Sequence, residues 1–400
     1  MNKELLLLGA FDRYNYGDLL FPIIFKKYIE VYRNDIYNHY SKIIPTALEN
    51  SDLSKVGGLP TVAWKDLNKN TNKDVIVVGG DVLGATTSGL YLDSLDSFYK
   101  QIVMKIVKKY INKNYIQYKA DKKFQVNNIL PYVPNYSEEN IKNITYNAVS
   151  GSGLISQKID DEHKKIIINR LEKSSYVSVR DNKSQEALVS AGIDVKLSPD
   201  SAAVMSDFFP LSELSKEVSD KNILSLQEKK YVVLQVGYWK SKNNINEIVE
   251  QLKLIYSTGN VEVVLLPIGF ASNHDDLIAL NKISNKLDFK HYYFKDISIW
   301  DIMFIIGSAS FFLGTSLHGN ITAMSFGVPN MGLNKNIYKL DKYLNSWGTK
   351  PFNKCINFNE IYDQYIKSKD FDKEALQVNQ MNTRKLVYEN NNNLLNMLLS

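Results

Sequence analysis

The feature that most constrains this chain is a series of short apolar runs, several of them followed by glycine and then an amphipathic stretch. The clearest are residues 5–11, 74–78, 144–149, 176–179, 231–236, 261–267, 291–294 and 310–313. A strand with one wet face alternates apolar and polar residues. These runs are apolar throughout, so both faces must be covered, as in parallel strands flanked by helices. The pattern predicts an α/β fold. At 400 residues the chain is too long for one ordinary core. The rhythm restarts at Tyr231-Val232-Val233-Leu234-Gln235-Val236-Gly237-Tyr238, much as it opens over residues 5–9. Two doubly wound, Rossmann-like domains follow, over residues 1–210 and 211–370. The Ser-, Glu- and Lys-rich stretch at 205–230 is the expected hinge. Residues 371–400 read as a helix able to pack back on the first domain. Residues 111–143, polar, Tyr-rich and carrying Pro131 and Pro134, read as a long irregular insertion and a candidate lid.

Composition narrows the function classes. Hydrophobic residues make up 44% and charged residues 23%, which excludes a chain dominated by disorder. One cysteine, Cys355, allows no internal disulfide. The net charge of +5 suits anionic substrates but gives no case for nucleic acid, because the lysines are scattered and arginine occurs only at 13, 33, 170, 180 and 384. No apolar run approaches the ~20 residues of a membrane span. The N-terminus, with Lys3 offset by Glu4 and a short apolar run, does not read as a signal peptide. The expectation is a cytoplasmic protein, able to work peripherally at the inner membrane surface.

Five segments can carry chemistry. The first follows the opening strand: Gly9-Ala10-Phe11-Asp12-Arg13-Tyr14-Asn15-Tyr16-Gly17-Asp18 leads into an apolar helix. A strand, a glycine loop and a helix N-terminus make a natural anion or hydroxyl site, although Asp18 could equally cap the helix. It is neither a dinucleotide fingerprint nor a phosphate loop. The second is Gly79-Gly80-Asp81, where backbone can approach a ligand or simply turn tightly. The third is Val179-Arg180-Asp181, which either presents a guanidinium to an anion or caps a helix. The fourth, Pro199-Asp200, offers a general base or a turn. The fifth is Gly314-Thr315-Ser316-Leu317-His318-Gly319. Of the five histidines only His318 leaves a strand to open a helix, where it is suited to proton transfer near neutral pH. No His or Cys spacing fits a metal site, so no metal is expected. Gly-x-Ser-x-Gly is also missing, which argues against a hydrolase nucleophile elbow.

Taken in order, these segments resemble the polysaccharide pyruvyltransferase family. The matching residues are Asn15-Tyr16-Gly17-Asp18, Gly79-Gly80, Val179-Arg180-Asp181 with Ser184, Pro199-Asp200, and Leu317-His318-Gly319 leading to Gly327-Val328-Pro329. Lys339 and Gly348 fit a further Lys-to-Gly spacing. The likeness spans roughly residues 5–350. It implies a GT-B-like fold, two domains facing across a cleft, with the acceptor on the first domain and the donor on the second. One residue departs. Many members carry Arg two positions before the histidine, and here that position is Ser316. Arg180 or Lys339 would then have to supply charge to the donor.

The implied reaction joins the pyruvyl group of phosphoenolpyruvate, a co-substrate, to two hydroxyls of one sugar on a glycan or lipid-linked saccharide. No cofactor is expected. On this reading His318 is the general acid and Asp18 an acceptor-side base. Arg180, Ser316, Gly319 and Lys339 hold the donor. Asn15, Tyr16, Gly79, Gly80 and Asp81 hold the acceptor. Two alternatives stay open: a GT-B-type glycosyltransferase using a nucleotide sugar, and a non-catalytic glycan-binding protein of the same fold.

Overall fold

In Leu5-Leu6-Leu7-Leu8 every side chain is buried, with Leu5 and Leu7 in one core cluster and Leu6 and Leu8 in another. That two-sided burial makes this run the centre of a sheet. The computed structural model describes residues 3–95, 113–126, 128–136, 140–155, 159–259, 261–270 and 275–399.

Among these residues the chain forms two parallel sheets. The first contains β1 (Lys3–Leu8), β2 (Lys42–Ala47), β3 (Val62–Ala63), β4 (Asn72–Val77), β5 (Ile141–Val149), β6 (Tyr176–Val179) and β7 (Lys196–Leu197), in the order β3-β2-β1-β4-β5-β6-β7. The second contains β8 (Tyr231–Gln235), β9 (Glu262–Leu265), β10 (Tyr292–Tyr293), β11 (Phe311–Gly314), β12 (Asn330–Leu333) and β13 (Cys355–Ile356), in the order β10-β9-β8-β11-β12-β13. Both orders reverse direction beside their first strand, as in doubly wound sheets. The reversal falls between β1 and β4 in one sheet and between β8 and β11 in the other. Those gaps are where such sheets bind ligands, beyond the strand carboxyl ends.

Three helices position the site. Helix α1 (Tyr16–Tyr32) follows β1, α2 (Leu317–Ser325) follows β11, and α3 (Lys373–Leu399) is the last element. Helix α1 serves two cores. Phe21, Phe25 and Tyr28 pack on Leu5, Leu7, Ile76 and Val78, whereas Tyr16, Leu19, Leu20 and Ile23 join Ile321, Ile302 and Phe312 of the second half. Helix α3 lays Leu394, Leu395 and Leu398 against the Leu5–Leu7 face.

Several sequence expectations change. Strand β2 was not expected, because Pro45 interrupts it. Pro45 is tolerated because β3 pairs only with Thr46 and Ala47, leaving it beyond the short edge strand. The segment 111–143 is not irregular throughout: Lys113–Phe124 is helical, with Ile116, Ala120 and Phe124 buried at four-residue spacing. Residues 111–112, 127 and 137–139 of that candidate lid lie outside the described residues. The 205–230 stretch is a run of short helices whose Leu214, Val218, Ile223 and Leu226 enter the core shared by both halves.

Candidate active site

The loops after β1, β4, β8 and β11 meet in a cleft of about 240 Å³ between the two sheets. Arg13, Asn15, Gly17, Asp18 and Asp81 line it from the first half, and Lys240, Ser316, His318 and Lys339 from the second. The halves are pinned together beside it. The Tyr14 hydroxyl donates to the Ile297 carbonyl at 2.6 Å, the Tyr14 ring stacks on Phe270 at 4.7 Å, and Asn15 bridges to Gly269.

His318 sits in the first turn of α2, capped by Ser316, whose hydroxyl accepts from the Gly319 amide at 3.2 Å. The loop is fixed from below: the Ser316 amide donates to the Gln235 side chain at 2.8 Å, and Gln235 donates to buried Asp276 at 2.8 Å. The imidazole lies edge-on to Phe21, ring centroids 5.3 Å apart. Gly17 presses on its other side, so closely that a β-carbon there would come within 1.8 Å of Nδ1. The His318 Nε2 atom is buried without a hydrogen-bond partner among the described residues, 3.6 Å from an Asp200 carboxylate oxygen. That is too long for a hydrogen bond but close enough for charge to be felt.

Asp200 is fully buried. It accepts from the Ala202 amide at 2.9 Å and pairs with the Arg180 guanidinium at 2.5 Å. Burial pushes its pKa up, but Arg180, His318 and the Ala202 amide outweigh that and hold it at about 2. Arg180 is only 4% exposed, and its neighbour Asp181 caps the next helix through the Ser184 amide at 2.8 Å. Arg180 reaches the cleft wall, but its charge is already matched.

On the first-half wall, the Asn15 side chain donates to Asp18 at 2.8 Å. Asp18 therefore sits in the first helical turn rather than capping it. Gly79 and Gly80 have φ of 91° and 90°, a turn that only glycine makes without strain, and it delivers Asp81 to the cleft.

Four expected ligand residues do not face the cleft. Tyr16 is fully buried, its hydroxyl 2.8 Å from that of Thr322, so it joins the two halves rather than meeting an acceptor. Gly79 packs against Phe21, and it and Gly80 serve as the turn beneath Asp81. Gly319 faces Phe312 and Ile268, and its amide is used by the Ser316 cap. Asn15, Asp18, Asp81, Arg180, Ser316, His318 and Lys339 all line the cleft.

Residues outside the expected set also line it. No hydrogen bond or ion pair joins the Arg13 side chain to another described residue, although Asp12, Asp18 and Asp93 surround it. Burial would lower its pKa, but Tyr132 and those carboxylates raise it. The Tyr132 hydroxyl, at the same wall, is buried without a partner among the described residues. Lys240 follows β8, the second sheet's counterpart of β1. Burial, then the nearby Lys339, pushes its pKa down to about 8, against the pull of Asp276. Two of them had a sequence signal: Arg13 lies inside the first loop motif, and Lys240 lies two residues beyond the Tyr231–Tyr238 segment where the strand rhythm restarts.

Residues 129–335, more than half of the chain, match the family model described as polysaccharide pyruvyl transferase. No curated protein matches the sequence significantly. Among solved structures, the chain is similar to a UDP-N-acetylglucosamine 2-epimerase from Rickettsia bellii, with TM-score 0.53 and 14% identity over 100% of this chain and 96% of that one. It is similar to the UDP-GlcNAc 2-epimerase from Neisseria meningitidis bound to UDP-GlcNAc, with TM-score 0.52 and 11% identity over 99% of each chain. Anabaena HepE in complex with UDP-glucose gives TM-score 0.51 and 13% identity, again over 99% of each chain. At such identities the likeness is one of fold: two Rossmann-like domains in a GT-B-like arrangement. Among the described residues no helix is long and apolar enough to cross a membrane.

Proposed function

Because the chain belongs to the polysaccharide pyruvyl transferase family, we propose that it transfers pyruvyl from phosphoenolpyruvate to two hydroxyls of one sugar. The product is a cyclic ketal on a glycan or lipid-linked saccharide, made at the cytoplasmic side of the membrane during surface polysaccharide synthesis. The observation that carries this reading is the convergence of His318, from one sheet, with Asp18 and Asp81, from the other, on one small cleft.

The chemistry needs a proton on C3 of the enol, which leaves C2 cationic. One sugar hydroxyl attacks C2 and gives up its proton. The bond from C2 to the phosphate oxygen then breaks as the second hydroxyl attacks. Of the two hydroxyl protons, one balances that gained at C3 and the other leaves with phosphate. His318 is the acid. Its Nε2 is turned to Asp200, which leaves Nδ1 for the ligand. Asp18, steadied by Asn15, is placed to take a hydroxyl proton, and Asp81, Arg13 and the unpartnered Tyr132 hydroxyl can orient the sugar.

The test is mass spectrometry of a lipid-linked or polymeric glycan incubated with the protein and phosphoenolpyruvate. Ketal formation adds a pyruvyl group and releases phosphate. Transfer from a nucleotide sugar, with none from phosphoenolpyruvate, would replace this reading with the glycosyltransferase one.

A further inference from the structure

The cations around the cleft are not equivalent. Arg180 is committed to Asp200, and Arg13 stands among carboxylates on the first-half wall. Lys240 and Lys339 stand together on the second-half wall beside Ser316 and His318, close enough to repel one another. Neither forms an ion pair with a described carboxylate. Among the described residues the Lys240 ammonium donates to the Thr315 carbonyl alone, at 3.4 Å. The nearest acid that acts on it, Asp276, already accepts from the Ile268 amide, the Gly269 amide and Gln235 through one oxygen. Two unmatched like charges are costly in a partly buried wall unless an anion comes between them.

The surroundings hold this pair in place. The Lys240 carbonyl accepts from the Asn334 side chain at 2.8 Å, and the Gly237 amide donates to the Thr315 hydroxyl at 3.0 Å. Gln235 takes the Ser316 amide and Ser316 takes the Gly319 amide, leaving the Leu317 and His318 amides at the start of α2 for a ligand.

We propose that Lys240, with Lys339 and the opening amides of α2, is the subsite for the donor's phosphate, and that Arg180 is not. The donor's identity rests on the pyruvyl-transfer reading; the subsite's selectivity for a phosphate dianion does not. Ammonium groups act as compact point charges that suit the clustered charge of a phosphate; a guanidinium would serve as well, but Arg180 is already paired with Asp200 and Arg13 stands on the other wall. The subsite also supplies the charge that Ser316, in the place of an arginine, cannot.

The test is calorimetric titration of the full chain with inorganic phosphate and with phosphoenolpyruvate, at fixed ionic strength. Lys240→Met, Lys240→Arg, Lys339→Met and, as an exposed control far from the cleft, Lys196→Met are compared, with melting curves to confirm folding. Lys240→Met is expected to weaken phosphate binding at least tenfold, Lys339→Met less, and Lys240→Arg and Lys196→Met by under threefold. Unchanged phosphate affinity in folded Lys240→Met overturns the subsite, as does a wild-type protein that binds no phosphate at millimolar concentration. The two readings fail separately. Glycan ketal formation with Lys240-independent phosphate binding sinks the subsite alone. Lys240-dependent phosphate binding without ketal formation sinks the pyruvyl-transfer reading alone.

Discussion

Gly17→Ala is the smallest change that reaches His318 without touching it. A β-carbon at position 17 would stand 1.8 Å from Nδ1, 2.2 Å from Cγ and 2.4 Å from Cε1 of the imidazole. Ordinary contact needs ~3.5 Å, so the ring must retreat by roughly 1.5 Å. Phe21 blocks one direction, and Nε2 already faces the Asp200 carboxylate. Displacements of ~1 Å at a reacting group cost about 100-fold in rate, so turnover with phosphoenolpyruvate should fall by at least that factor. Stability should fall modestly: overpacking costs about 1–3 kcal/mol, and alanine, at a φ open to any residue, recovers only up to ~1 kcal/mol of helix propensity. The assays are initial rates of phosphate release with acceptor, a melting curve, and the His318 side-chain NMR signal, identified by its loss in His318→Gln. Wild-type activity together with an unmoved His318 signal in Gly17→Ala would refute the reasoning.

His318→Gln keeps a hydrogen-bonding side chain but cannot shuttle a proton, so turnover should drop ~10²–10⁴-fold with the melting temperature nearly unchanged. Asp200→Asn strands the Arg180 guanidinium in the interior and should cost about 3–5 kcal/mol in a denaturant titration. In the unaltered protein the folded pKa of Asp200, about 2, lies below its ordinary 3.8. Its contribution of about 2 kcal/mol is therefore complete above roughly pH 5 and lost as pH falls through 2, which an acid titration in the native and Asn forms would separate. Tyr16→Phe should destabilise by ~1 kcal/mol by removing the bond to Thr322 while leaving acceptor KM unchanged; a raised KM would return Tyr16 to the ligand site.

The parts of the fold that the sequence displays are those where burial is two-sided. Residues 5–8, 231–234 and 311–313 are apolar without a break because each has a core cluster on both faces. Strand β2 escapes notice because Pro45 reads as a breaker and its burial is only partial. The helix at Lys113–Phe124 escapes because just three apolar residues mark its inner face. In the cleft, the positions of His318 and Asp18 were legible because a strand, a turn and a helix start are local patterns. The roles of Asp200, Gly17 and Lys240 were not, since each depends on a partner far away in the chain: Asp200 on Arg180 and His318, Gly17 on a ring some three hundred positions later, Lys240 on Lys339. Tyr16 shows the converse. It belongs to a loop motif, but helix geometry turns it inward while Asp18, two residues on, faces the cleft.

The position of α3 bears on the order in which the molecule can be made. Strands of the first sheet are complete at Leu197, but one of its faces is closed by Leu394, Leu395 and Leu398. At a ribosomal pace of ~5–20 residues per second, the ~200 residues between them take roughly 10–40 s to emerge. During that interval Leu5, Leu7, Ile76 and Val78 are covered on that side by α1 with Phe11, Ile36 and Tyr40, without the C-terminal leucines. The amino-terminal half must therefore wait on the growing chain with a bare apolar surface, a natural foothold for chaperones, and becomes fully sealed only when the last helix arrives.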